Sequence, residues 1–268
     1  MVNELINSII MRKEHLMMSL MALVVITMTS CMSVNIGNNG KDSTPTQVSQ
    51  LNQETAMQPF DAVDIGDAFK VIYDQGAKHS VRIEATEQAL KEMTVYVKDH
   101  ELRIRKSVAK PTVSFKDVKV YVTSPDIQSI ELAGSGLFAA SNPITASKDL
   151  DVDVAGSGKV LLTAVTCHDT NLEIAGSGDI EIGNLKANDV ETDIAGSGNI
   201  NLGVMSCKDF TIDIAGSGDV NSDNINAENV NVDIAGSGNV NLKGTIRNLT
   251  KDIAGSGKVN VTALEPNN

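Results

Sequence analysis

The chain has 268 residues, with 34 Asp and Glu against 22 Lys and Arg, for a formal net charge of −12 at pH 7. That balance excludes the basic surface a nucleic acid requires, so no nucleic-acid partner is expected. A hydrophobic content of 41% suffices for one or two packed domains, while only 3% aromatic residues and no Trp suit narrow layers filled by Val, Ile, Leu and Ala.

In chain order, the first ten residues lack signal-peptide character, and Met11 reads as the true start. Arg12 and Lys13 form a basic region, residues 16–28 an apolar one, and Thr29 and Ser30 lead to Cys31. This pattern is a secretory signal over residues 1–30, too short for a comfortable membrane span. Cys31 is the expected lipidation site, anchoring the chain to a membrane, because it directly follows the apolar region and precedes a polar tail. The alternative is an ordinary signal peptide with an incidental cysteine, since Met28 stands where lipoprotein signals usually carry Leu. Residues 31–58, rich in Ser, Thr, Asn and Gln, read as a flexible tether.

Residues 59–130 form an N-terminal β segment. Period-two alternation predicts strands at 69–73, 80–84, 94–97 and 102–105, with turns at Asp74-Gln75-Gly76 and Asp99-His100, one helical turn near Glu87, and a further strand over 118–123. The segment is expected to supply wider early coils or a small sheet that caps the open edge of the repeats beyond residue 130.

Residues 131–264 are organised by Ala-Gly-Ser-Gly, which occurs seven times, beginning at Ala133, Ala155, Ala175, Ala195, Ala215, Ala235 and Ala254. Alternation on both sides of the glycine corner predicts short strands, and a unit of about 20 residues with three corners is one coil of a β-solenoid. Stacking at roughly 4.8 Å turns each repeat position into a column. Val154, Ile174, Ile194, Ile214, Ile234 and Ile253 form one inward column. Val160, Ile180, Ile200, Val220, Val240 and Val259 form another. Lys251 breaks a third, otherwise Val152, Leu172, Thr192, Ile212 and Val232, and so blunts the terminal edge.

The order Phe60-Asp61-Ala62-Val63, Val71-x-Tyr73-x-Gln75-Gly76, Leu102-x-Ile104, Val118-Lys119-Val120-Tyr121-Val122-Thr123-x-Pro125, then repeated Gly-Ser-Gly-x-Ile/Val resembles the head GIN domain of the auto-transporter adhesin family, common in envelopes of Bacteroidetes. The resemblance covers about residues 59 to 262. It implies an all-β fold, a right-handed parallel β-helix of three-sided kind, and brings no catalytic residues with it.

Residues 131–268 hold 8 Lys and Arg and 19 Asp and Glu, so nearly all the net charge lies on the repeats. Part of it is one outward column, Glu131, Asp153, Glu173, Asp193, Asp213, Asp233 and Asp252. Neighbours at about 5 Å repel by about 1 kcal/mol even in water. Hydrogen bonds from the glycine corners would offset that cost; a divalent cation or a basic partner surface would too, and solubility alone is a third reading. No cofactor is otherwise implied. Cys167 and Cys207 share a column two coils apart, roughly 9.6 Å, beyond disulfide reach, and are expected as buried free thiols. Asn201, Asn221, Asn241 and Asn260 should stack as an amide ladder. No zinc constellation is evident among His79, His100 and His168.

Sugar-processing enzymes of this shape need carboxylates beside Arg and Lys, with aromatic platforms. Here the only solenoid aromatics, Phe138 and Phe210, fall in core columns. The reading is therefore a non-catalytic lipoprotein (signal peptide, palmitate at Cys31) of the cell outer membrane. It acts as an adhesin or interaction scaffold for a protein or glycan. A polysaccharide-active enzyme and a periplasmic-side envelope integrity component are the alternatives.

Overall fold

The computed structural model describes residues 51–262, all within the compact unit Thr46–Asn268. The signal segment 1–30, Cys31, the tether up to residue 50 and residues 263–268 lie outside the described residues. The described chain is a three-sided parallel β-solenoid with one short helix.

Each coil follows from its alternation. In Asp169–Gly176 the residues Thr170, Leu172 and Ile174 point inward and are buried, while Asn171 and Glu173 face out. The chain turns at Gly-Ser-Gly into Asp179–Lys186, where Ile180 and Ile182 continue the core. Gly183 and Asn184 then face solvent, and Leu185 returns to the interior on the third side. The predicted columns hold in register: Val154 pairs with Ile174, Ile174 with Ile194, Ile194 with Ile214, Ile214 with Ile234 and Ile234 with Ile253. Phe138 lies over Val160, and Phe210 between Val190 and Val230, both 0% exposed. β-Branched side chains suit these ladders because each packs on its counterpart one strand spacing away.

The two glycines of each corner do different work. Gly196 has φ +136, a conformation L side chains rarely adopt, and a Cβ there would lie 2.2 Å from the Gly176 carbonyl oxygen. Gly198 needs no unusual φ, but a Cβ on it would meet the Gly178 oxygen at 2.5 Å and Ile174 Cγ2 at 2.6 Å. This crowding is the counterpart of a bond: Ser197 N–H donates to the Gly176 carbonyl at 2.8 Å, and the same link recurs at Ser157, Ser177, Ser217 and Ser237. The serine side chains themselves are exposed.

The N-terminal segment supplies both kinds of structure anticipated for it, in an order the sequence did not suggest. Ala62–Gly66 lies parallel between Glu101–Lys106 and Ser129–Gly134, and Lys70–Gln75 between Lys119–Ser124 and Leu137–Ala140. The first layer in the chain is thus second in the stack, and residues 101–124 pass outside it before the repeats begin. Antiparallel strands close that end. Met93–Lys98 covers Glu101–Lys106 through a tight turn at Asp99 and His100, both at positive φ (54° and 64°). Ser80–Glu84 covers Lys119–Ser124, and Thr55–Ala56 covers Ser80–Glu84. The helix Glu87–Lys91 is capped by Thr86, whose Oγ1 accepts the Ala89 N–H at 3.1 Å.

Most of the chain's few aromatic residues lie near this end, Phe210 being the exception. Tyr73 stacks on Phe138 at 5.7 Å and Phe69 meets Phe115 at 4.8 Å. The Tyr73 hydroxyl lies 3.0 Å from Ser124 Oγ, and burial pushes its pKa up to about 12.

At the other end, residues 248–255 and Lys258–Thr262 form the last described layer. Leu249 and Val261, in inward columns, are 39% and 41% exposed, and Lys251 takes the place of an apolar residue between Leu249 and Ile253. A charge at an open sheet end resists edge-to-edge pairing.

Substitutions at the corner and at the last layer test these contacts. Gly196→Ala should destabilise the fold by about 3 kcal/mol, from backbone strain plus overpacking, whereas Ser197→Ala should stay within about 0.5 kcal/mol; urea-unfolding midpoints measure both. Lys251→Val, which restores the column, should produce concentration-dependent self-association in sedimentation velocity that the wild-type chain lacks.

Candidate functional site

The strand that leads into each glycine corner alternates so that three of its positions per coil face outward. The third of these is the acidic column read from the sequence, and it is in register throughout: Glu131 pairs with Asp153, then Glu173, Asp193, Asp213, Asp233 and Asp252. Two features extend it. At its head, Asp64 pairs with Glu131 on one side and Arg103 on the other. Asp64, 7% exposed, is ion-paired to Arg105, so the N-terminal end of the column is neutralised by arginine. Beside it, the other two outward positions bring Asp149, Asp151, Asp169, Asp189, Glu191 and Asp209 onto the same face, where they line a groove of about 420 Å³.

The expected hydrogen bonds from the corners to the acidic column do not form. The corner N–H groups point along the stack and are taken by the carbonyl of the preceding coil, whereas the carboxylates project perpendicular to the sheet. Assembling the column disfavours ionisation of its members at several positions. Burial, followed by neighbouring carboxylates, holds Asp153 (Glu173, Glu131, Asp151), Asp193 (Glu191, Glu173) and Asp213 (Asp193, Asp233) above the ordinary carboxylate range. Burial and then Asp149 do the same for Asp151.

Neighbouring columns offset charge by pairing it. Lys159 bridges Asp179 at 3.0 Å and Glu181 at 2.9 Å. Asn199 donates to Asp179 at 3.0 Å, Asn239 to Asp219 at 2.9 Å and Asn229 to Asp209 at 2.5 Å. The amide ladder forms as expected, Asn221 to Asn201 at 3.0 Å, then Asn241 to Asn221 and Asn260 to Asn241, each at 2.8 Å. Alternating Asp with Asn converts a repulsive neighbour into a donor, which the main acidic column never does.

Cys167 and Cys207 are free, as expected, but half-buried rather than enclosed. They sit at the corner between the third side and the next leading strand, at the core's margin, and burial pushes the Cys167 thiol up to about 11 and the Cys207 thiol to about 12. They are not poised to react at neutral pH.

One cluster escaped the sequence reading. His168 Nδ1 lies 3.3 Å from Asp149 Oδ1 and 2.9 Å from Asp169 Oδ2. The clue was present in the repeat: Asp149 and Asp169 are one 20-residue period apart, and His168 adjoins the second. A second cavity, about 610 Å³, lies at the first corners beside Asp67, Arg105, Lys106, Ser135 and Ser157, but its cations are paired, Lys106 with Asp67 at 2.9 Å and Arg105 with Asp64.

Because Asp151, Asp153, Asp193 and Asp213 bind protons more tightly folded than unfolded, ionising them costs stability at neutral pH. The cost lessens as pH falls through their raised folded values. Asp193→Asn should therefore stabilise the protein at pH 7 by about 1 kcal/mol at low salt; the part due to Glu191 and Glu173 should fade in 1 M NaCl, where screening acts within about 3 Å, while the part due to burial persists; thermal melts at the two salt concentrations check this.

In comparison with known proteins, residues 59–222 and 203–268 match the family model described as "Putative auto-transporter adhesin, head GIN domain". Among solved structures, a "putative adhesin" from Bacteroides fragilis is similar with a TM-score of 0.69 at 22% identity, covering 82% of this chain and 98% of that one. A "putative lipid binding protein" from Parabacteroides distasonis has a TM-score of 0.64 at 20% identity, covering 81% and 96%. A "putative adhesin" from Parabacteroides merdae has a TM-score of 0.65 at 19% identity, covering 82% and 96%. At these identities the likeness is one of fold. No curated protein matches the sequence.

Proposed function

Since the chain belongs to the head GIN domain family of auto-transporter adhesins, we propose that it is a non-catalytic, lipid-anchored envelope protein whose solenoid serves as an adhesin-type interaction scaffold. Export would be directed by residues 1–30, anchoring would be through Cys31 in the outer membrane, and residues 31–58 would hold the folded part away from the bilayer. The working surface is the acidic outward face, with Glu131, Asp153, Glu173, Asp193, Asp213, Asp233 and Asp252 as its spine.

The observation that carries this reading is the unbroken repetition of that face. Seven coils present carboxylates in register, and among the described residues no coil gathers acid, base and nucleophile at one point, as a catalytic site would. A uniform ladder suits an extended or multivalent ligand, a protein or glycan, held by many weak contacts. Phe138 and Phe210 are sealed in the core and offer no sugar platform.

Labelling growing cells with radioactive palmitate tests the anchor: the protein should take up label, and Cys31→Ala should abolish uptake. Protease applied to intact cells should then cut the solenoid. A labelled protein that stays uncut would move the assignment to a component of envelope integrity on the periplasmic side. Cleavage of uronate-containing polysaccharide by the purified chain would overturn the non-catalytic reading.

A further inference from the structure

We propose that His168, Asp149 and Asp169 form a binding site for one divalent transition metal ion of the zinc class, at the edge of the acidic groove. The site is independent of the adhesin reading, since it rests on three side chains and their supports.

The donor geometry comes first. The Nδ1 atom of His168 and one oxygen each from Asp149 and Asp169 lie within 4.8 Å of one another. Around a tetrahedral ion with bonds of about 2.0–2.1 Å, neighbouring donors stand about 3.4 Å apart. The two His–Asp separations, 3.3 and 2.9 Å, need only a small adjustment to accept such an ion.

The supports come second. A metal site is defined as much by what fixes its ligands as by the ligands themselves. Asp149 Oδ1 accepts the Asp169 N–H at 3.2 Å. Asp169 Oδ1 accepts the Asp189 N–H at 3.0 Å and the Asn188 amide at 3.3 Å, which leaves Oδ2 turned toward the imidazole. The His168 backbone N–H donates to the Lys148 carbonyl at 3.0 Å, which fixes the chain at this residue. The solenoid stack therefore sets the two carboxylates and the backbone of His168 before any ion arrives.

A third observation is independent of the triad. Asn171 Oδ1 and Asp189 Oδ1 are buried oxygens with no hydrogen-bond partner among the described residues, and both residues line the same groove as Asp149 and Asp169. Acceptors left without donors beside a wall of carboxylates favour a cation.

The imidazole decides the class of ion. Calcium and magnesium prefer all-oxygen shells, whereas imidazole with carboxylates suits zinc, copper or nickel. Three protein ligands on an exposed rim leave coordination open to solvent or to a group from a bound partner. The alternative occupant is a proton: an imidazolium bridging two aspartates would satisfy the same distances without metal.

Isothermal titration of the untagged full-length chain with zinc chloride at pH 7.5, in metal-free buffer, separates the two. The expected result is one zinc per chain, with affinity lowered about tenfold or more by His168→Ala and by Asp149→Asn. Asp223→Asn, an exposed residue outside the groove, should leave it unchanged, and millimolar calcium should not compete. His168 and Asp149 have side chains 69% and 60% exposed, so both variants should keep the wild-type melting profile without metal; zinc should raise the melting temperature of the wild type but not of His168→Ala. No zinc uptake by the wild type, or equal uptake by His168→Ala, would overturn the site and leave the bridging proton as the explanation.

Discussion

The whole rod depends on how closely one glycine corner lies over the next. A serine N–H at each corner reaches back to the glycine carbonyl of the coil below, and the distance it sets leaves no room for a Cβ at either glycine. Once the corners are locked at strand spacing, every other position in the repeat must fall over its own kind. The inward ladders of Ile and Val, the amide ladder and the acidic column are all consequences of that one contact. No coil could hold this shape alone, because its apolar side chains are buried only by the coils above and below.

The same stacking that aligns the core aligns charge. A column of identical apolar residues gains from repetition, whereas a column of carboxylates is destabilised by it. The molecule handles the cost in several ways. Where Asp and Asn alternate, an amide donates to the carboxylate one layer away. Lys159 bridges Asp179 and Glu181. Arg105 pairs with Asp64 at the head of the main column. The rest of that column stays acidic and outward-facing, and burial and neighbouring carboxylates raise the proton affinities of Asp153, Asp193 and Asp213. A surface kept in this state over so many coils is consistent with interaction as the task of the fold, and His168 introduces a different kind of donor at its edge.

Much of this was legible in the residues. The positions of Ala-Gly-Ser-Gly give the period, and period-two alternation around it gives the facing of each side chain. Together they placed Ile214 over Ile194, Phe210 between Val190 and Val230, and Asp213 on Asp193. The turn at Asp99-His100 and the helix near Glu87 also followed from local signals. Other features did not. Nothing local says that Ala62–Gly66 is sandwiched between Ser129–Gly134 and Glu101–Lys106, because three strands of similar pattern compete for the same edge. Nor did alternation reveal that the corner N–H groups, having partners along the stack, would be unavailable to the acidic column.

The sequence by itself determined the solenoid, its period, its columns and the sign of its surface, since a repeat carries its own register: each residue's neighbour is its counterpart one period away. Only the tertiary structure decided the order of the N-terminal layers, the antiparallel strands that close them, the arginines at the head of the acidic column and the meeting of His168 with Asp149 and Asp169. Those depend on which non-repeating strand wins a given edge and on where side chains of neighbouring layers converge, and neither quantity is periodic along the chain.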